Sequence, residues 1–160
     1  MTRFGYFDEC GRRLLGLLAV VLVIFTATAA RAGETVLADP KPDPDNPRKV
    51  LLQLTSDDSR IVNDVLYNVV NIQKFYGQDN VKVAVVTFGA GNRALYKDTS
   101  TVRERISSLL QYDVEFVACG NTMEATGRKP ADVIDGVEIV TAGIPEIVER
   151  IKQGWTYIHP

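Results

Sequence analysis

Between residues 50 and 158, continuous apolar runs alternate with stretches whose apolar residues recur every three or four positions. Residues 50–55 read as a buried strand, with Ser56 or Asp57 as the N-cap of the helix that follows. That helix runs to about Tyr76 on the stripe Ile61, Val62, Val65, Leu66, Val69, Val70 and Ile72, and Gly77 stops it. A second strand over 81–88 leads into Gly89-Ala90-Gly91. A helix over 101–111 turns Val102, Ile106, Leu109 and Leu110 inward, and a third strand occupies 114–118. A short polar helix over 122–126, a turn at 130–134 and a fourth strand at 137–140 come next. The last helix covers 143–153 with Pro145 in its first turn, and residues 155–158 form a closing strand. Strands that are apolar on both faces and joined by helices predict an α/β fold. The expected form is a three-layer α/β/α sandwich with a mostly parallel sheet of about five strands.

The N-terminal pattern is different. Arg3, Arg12 and Arg13 precede an apolar run from Leu14 to Phe25, and Ala30-Arg31-Ala32 offers small residues to a signal peptidase. Residues 1–32 therefore read as a secretory signal cleaved after Ala32, which predicts a periplasmic protein with no membrane attachment after cleavage. Retention as an anchor is the alternative, although the run of 12 residues is shorter than an ordinary span of about 20. The Arg12-Arg13 pair leaves open the twin-arginine and general export routes. Residues 33–48 carry Pro40, Pro42, Pro44 and Pro47 among Asp39, Asp43 and Asp45, and read as a solvated linker. The folded domain is expected over 49–160.

Charge narrows the partners. The chain has 18 basic and 20 acidic residues; four and two of these lie in residues 1–32, leaving 14 and 18. A mature chain of net charge −4 without basic clusters predicts no nucleic-acid partner. Of the two cysteines, Cys10 leaves with the signal, so Cys119 remains without an internal disulfide partner. In an oxidising compartment it must be buried, protected, paired between chains, or used.

Cys119 closes the third strand and precedes Gly120-Asn121-Thr122, a turn into a helix. Backbone N–H groups and a helix dipole at such a junction favour thiolate, whereas the plain alternative is a small buried hydrophobe. Ligands of open α/β sheets bind beyond the carboxyl ends of the strands. There the chain also offers Gly89, Gly91, Asn92 and Arg93, of which Gly89, Gly91 and Arg93 join Gly120, Asn121 and Thr122 as candidate ligand-binding residues. Other thiol chemistries fail on spacing. A rhodanese or tyrosine phosphatase needs an arginine five or six residues after its cysteine, where Glu124 and Ala125 stand, and a thioredoxin motif needs a second cysteine at Thr122. Asp57 and Asp58 would repel a flavin phosphate after the first strand, and a receiver domain would need an aspartate where Cys119 sits. One histidine and one mature cysteine make no zinc site, and no cofactor is implied. His159 is a base only if the chain end folds over the site.

Phe116-Val-Ala-Cys-Gly-Asn-Thr-Met123, the Phe88-Gly-Ala-Gly91 turn, Val140-Thr-Ala-Gly143 and the closing Gly154-Trp-Thr-Tyr-Ile-His-Pro160 together resemble the DsrE/DsrF-like family of sulfur-relay proteins. The resemblance spans about Arg48 to Pro160 and lies closest to the family's single-chain branch. It implies a three-layer α/β/α fold with a five-stranded sheet, assembly as a homo-oligomer (trimer or hexamer), and sulfur carried as a persulfide on one cysteine after a strand, which is Cys119 here. Protein sulfur donors and acceptors are implied as partners. Known relay members work in the cytoplasm, whereas this chain carries an export signal, so neither compartment nor partners transfer with the fold. Two further readings stay open. One is a non-catalytic oligomeric module binding a small ligand, and the other is a single-thiol redox sensor. A sulfur carrier of this kind resembles a sulfurtransferase without being a turnover enzyme.

Overall fold

A computed structural model describes residues 33–160, so the signal reading lies outside the described residues. Asp39–Pro160 pack as one compact unit. Asp43 accepts the N–H groups of Asp45 and Asn46 on Oδ1 at 3.0 and 2.8 Å, closing an aspartate-headed turn just before the first strand.

Five strands, β1 (Arg48–Leu54), β2 (Val81–Thr87), β3 (Val114–Cys119), β4 (Glu138–Val140) and β5 (Thr156–Ile158), form one sheet in the order β4-β3-β2-β1-β5. Every pairing is parallel, as the apolar runs predict. In β1, Val50, Leu51, Leu52 and Leu54 are all buried because both faces of the sheet are covered. The helices are α1 (Ser59–Tyr76), α2 (Arg103–Gln111), α3 (Gly120–Ala125) and α4 (Gly143–Lys152), and a 3-10 segment covers Gly89–Leu95.

Crossover handedness divides the helices unequally. From β1 to β4 the chain steps one way along the sheet, so right-handed crossovers put α1, α2 and α3 on one face. Val62, Val65, Ile106 and Met123 accordingly share a core with Leu52, Val85 and Phe116. The return from β4 to β5 runs the opposite way, which sends α4 to the other face. There Ile147 and Trp155 pack on Leu51, Ala84, Val86 and Val117. Beneath them Arg150 is buried, pairing with Glu115, Glu138 and Glu146 and lying 4.9 Å from the Trp155 ring centre.

Local chemistry corrects several expected boundaries. The N-cap of α1 is Asp58, not Ser56 or Asp57. Its carboxylate accepts the N–H groups of Arg60 and Ile61, which lowers its pKa, and Ser56 Oγ accepts the Asp58 N–H instead. Gly77, at φ 87°, ends the helix as predicted. Ile61 and Val70 are exposed, because at 100° per residue both sit about 90° from the midline of the buried stripe. The third helix begins at Gly120, directly on the end of β3 and two residues before the predicted start.

Two neighbouring glycines serve different ends. A Cβ on Gly91 would lie 2.1 Å from the Leu54 carbonyl oxygen, so its absence lets the 3-10 segment close on the end of β1. Gly89 has open space around it but a φ of +57°. We expect Gly91→Ala to cost at least about 3 kcal/mol, or to abolish folding, because backbone must move. Gly89→Ala should cost only about 1–2 kcal/mol, the penalty of a left-handed residue. Chemical denaturation of the two variants separates these effects; equal losses would contradict the close approach at Gly91.

Candidate functional site around Cys119

At the end of the sheet, β3 and β4 feed helices that leave toward opposite faces. Cys119 is the last residue of β3 and occupies the N-cap position of α3, with φ −78° and ψ 115°. Three residues after the end of β4, Gly143 starts α4. The strand ends are held close: Asn121 donates its N–H to the Thr141 carbonyl at 3.0 Å, and a Cβ on Gly120 would lie 2.8 Å from the Val140 oxygen. Gly143 completes the approach, since a Cβ there would meet Cys119 Cβ at 3.3 Å.

The thiol is only 5% exposed. Burial is the largest single influence on its acidity and pushes the pKa up. Against it act the Thr122 hydroxyl and the backbone N–H groups of Thr122, Gly143 and Asn121, and the balance leaves the thiol more acidic than a free cysteine. Two helix starts therefore supply donors to one sulfur. The Thr122 oxygen accepts the Gly89 N–H at 3.0 Å, which leaves the hydroxyl proton available to the sulfur.

The peptide carrying the thiol is clamped by Asn92, which is fully buried. Its Oδ1 accepts the Thr87 hydroxyl at 2.7 Å and the Cys119 N–H at 3.3 Å. Its Nδ2 donates to the Cys119 carbonyl at 3.0 Å and to the Tyr96 hydroxyl at 3.3 Å. Every donor and acceptor of the amide is thereby used.

An open cleft of about 670 Å³ lies between the 3-10 segment and α3; Cys119 is not among its lining residues and adjoins it only through Asn121 and Thr122, which are. Gly89, Asn121 and Thr122 belong to its wall, and Arg93, Tyr96 and Arg128 form its far side. Arg93 Nε lies 3.3 Å from an Asp57 carboxylate oxygen. Arg128 stacks over Tyr96 at 4.7 Å and donates through Nη1 to both Asp98 oxygens at 2.8 and 3.0 Å.

The residues expected from sequence thus divide. Cys119, Asn121 and Thr122 come together at the thiol; Gly89 joins them through Thr122, and Arg93 lies across the cleft. Gly91 and Gly120 make room for backbone and are not among the cleft's lining residues. His159 lies beyond β5, on the far side of β1 from β2 and β3, and is exposed. Sequence reasoning did not single out Asn92 as the clamp, nor Gly143, Tyr96 and Arg128 as part of the site. An asparagine directly after a strand and a glycine turn was a legible signal, but its role depends on Cys119, 27 residues later. Among the described residues, no group of three or more histidine, cysteine, aspartate or glutamate side chains is placed to hold a metal ion.

The DsrE/DsrF-like family model matches residues 49–160, most of the chain. The chain belongs to the DsrE/DsrF-like family. This DsrE-like chain is similar to a solved structure described as the protein of unknown function MTH1491 from Methanobacterium thermoautotrophicum. The two are 33% identical with a TM-score of 0.68, and the match covers 71% of this chain and 99% of that one. The fold also matches ychN protein from E. coli, at 14% identity and TM-score 0.61, over 71% of this chain and 99% of that chain. A third match is the conserved protein of unknown function BT1422 from Bacteroides thetaiotaomicron. It is 22% identical with TM-score 0.56, covering 70% and 94% of the two chains. No curated protein matches the chain significantly. The DsrE-like fold and a family of sulfur-relay type follow from these matches.

If the Thr122 hydroxyl stabilises the Cys119 thiolate, Thr122→Val should raise the thiol's titration midpoint, followed by thiolate ultraviolet absorbance against pH. The wild-type midpoint should fall below the roughly 8.5 of a free cysteine, and Thr122→Ser should keep it there. An unchanged midpoint in Thr122→Val would remove the hydroxyl from the account.

Proposed function

We propose that this protein is an exported sulfur carrier that holds sulfane sulfur as a persulfide on Cys119. The observation that carries this reading is the placement of a buried cysteine at the meeting of two helix starts, where the Thr122 hydroxyl and the nearby backbone N–H groups hold its pKa down. The Cys119 thiolate attacks the outer sulfur of a persulfide or polysulfide. A new S–S bond forms as the donor's own S–S bond breaks, and the donor leaves as a thiolate with that bond's electron pair. The same displacement in reverse passes the outer sulfur to an acceptor thiol. No second cysteine is needed, in keeping with a mature chain that has one. The donors around the sulfur also suit the leaving thiolate of the second step.

Intact-mass spectrometry after incubation with polysulfide tests the reading. We expect a gain of about 32 Da, one sulfur, reversed by reductant and absent from Cys119→Ser. A serine variant that gains the same mass would end the proposal. The measured mass also locates the N-terminus, expected at Gly33 if cleavage follows Ala32.

A second reading has its own support in the 5% exposure of Cys119, which is that of a packed side chain. In that case the protein is a ligand-binding module whose cleft works without the thiol, and Cys119→Ala leaves binding intact.

Assembly into a trimer or hexamer forms part of the proposal. Among the described residues helix α4 is the one helix on its face, and Ile144, Val148 and Ile151 form an exposed apolar ridge along it, 60%, 46% and 43% accessible. Sedimentation of the mature chain should report an oligomer, and Val148→Glu should shift it toward smaller species. A monomeric wild-type protein would overturn this part.

A further inference from the structure

The geometry points to the cleft beside Cys119 as a docking site for a small organic thiol or persulfide bearing carboxylate groups, held by Arg128 and Arg93. This inference rests on the persulfide reading and names the class of molecule from which Cys119 takes sulfur, or to which it gives it.

The cleft has room for more than the simplest donor. A cleft of about 670 Å³ lies within the roughly 300–1,000 Å³ of sites that enclose drug-sized organic ligands. An inorganic polysulfide or thiosulfate ion would fill a small part of it. The charged groups stand where an organic donor's tail would lie. Asn121 and Thr122 form the wall next to the sulfur, and Thr126 and Arg128 follow the short α3. Arg93 enters from the 3-10 segment opposite.

Both guanidinium groups are oriented yet keep free donors. Arg128 engages Asp98 through Nη1 alone and is fixed flat on Tyr96, so its Nη2 and Nε edge makes no hydrogen bond among the described residues. Arg93 meets Asp57 through Nε, and among the described residues neither of its Nη groups has a hydrogen-bond partner. A planar guanidinium edge with two parallel N–H groups matches a carboxylate. Asp57 and Asp98 each balance the charge of one of these arginines, so what the cleft offers a carboxylate is the two guanidinium N–H edges rather than a net positive field. In the transfer step the small molecule's carboxylates stay on the arginines while its sulfur–sulfur bond reaches Cys119 past Asn121 and Thr122, the lining residues next to it. Cys119 thiolate takes the outer sulfur, and the small thiolate departs with the bonding electrons.

Two measurements on the mature protein test this. In the first, Cys119 is loaded with glutathione persulfide, which carries two carboxylates, or with the uncharged persulfide of 2-mercaptoethanol, and the mass gain is followed against concentration. Wild type should prefer the charged donor, and Arg128→Gln with Arg93→Gln should lower that preference roughly tenfold. In the second, calorimetry measures binding of S-methylglutathione, which cannot transfer sulfur; binding should be seen with wild type and lost in the double variant. Loading without preference and without S-methylglutathione binding overturns the cleft assignment and leaves the persulfide reading standing. Binding without any loading upholds the cleft and removes the persulfide. Absence of both overturns both.

Discussion

The handedness of strand–helix–strand crossovers shapes this molecule more than any single contact. Because β1 to β4 advance one way and β5 returns to the other side of β1, the crossovers reverse face between β3 and β4. The helices that leave those two strands diverge, and their first backbone N–H groups have no carbonyl partners within the helix. In the crevice between them the Asn121 N–H is taken by the Thr141 carbonyl, while those of Thr122 and Gly143 help to hold the Cys119 pKa down, so the acidity of Cys119 follows from where β3 ends. In sheets of this kind, a reversal of connection is where ligands bind.

Asn92 turns that crevice into a defined site. An amide buried at the end of a strand is tolerable only when all its hydrogen-bonding groups are met, since each unmet group costs about 1–3 kcal/mol. Here they are met by Thr87 on β2, by both backbone groups of Cys119 on β3, and by Tyr96 at the end of the 3-10 segment. Tyr96 in turn supports Arg128. A single chain of contacts thus runs from the central strands through the reactive residue to the far wall of the cleft. Gly91 allows it by letting the 3-10 segment lie against the Leu54 carbonyl.

Most of the fold was legible because it rests on apolar runs buried on two faces, a signal carried by consecutive residues. Strand and helix order, Gly77 as a helix stop and the parallel sheet all came from that signal. The misjudged features depend on which side chain reaches which backbone group. Asp58 rather than Ser56 or Asp57 caps α1 because its carboxylate meets two N–H groups ahead of it. Ile61 and Val70 look like core in a list of apolar residues and lie outside it once the helix has a diameter. Cys119 was visible from its place at a strand end. The Gly143 N–H aimed at it was not, because nothing local links residues 119 and 143; only the packing of β4 on β3 does. Of the two cleft arginines, Arg93 was visible from its place after the glycine turn, whereas Arg128 lies in an unremarkable polar stretch until α3 folds beside the 3-10 segment.

The unequal covering of the sheet has a consequence for time scales. Three helices shield one face and α4 alone shields the other, anchored by Ile147, Trp155 and the buried Arg150. Proteins open locally where cover is thin, with free energies well below that of global unfolding. The first N–H of α4 is one of the donors that hold the Cys119 thiolate. The lifetime of that thiolate is accordingly tied to the breathing of the least-covered helix. Amide exchange at Gly143, rather than the melting of the domain, is then the measurement expected to track the reactivity of Cys119.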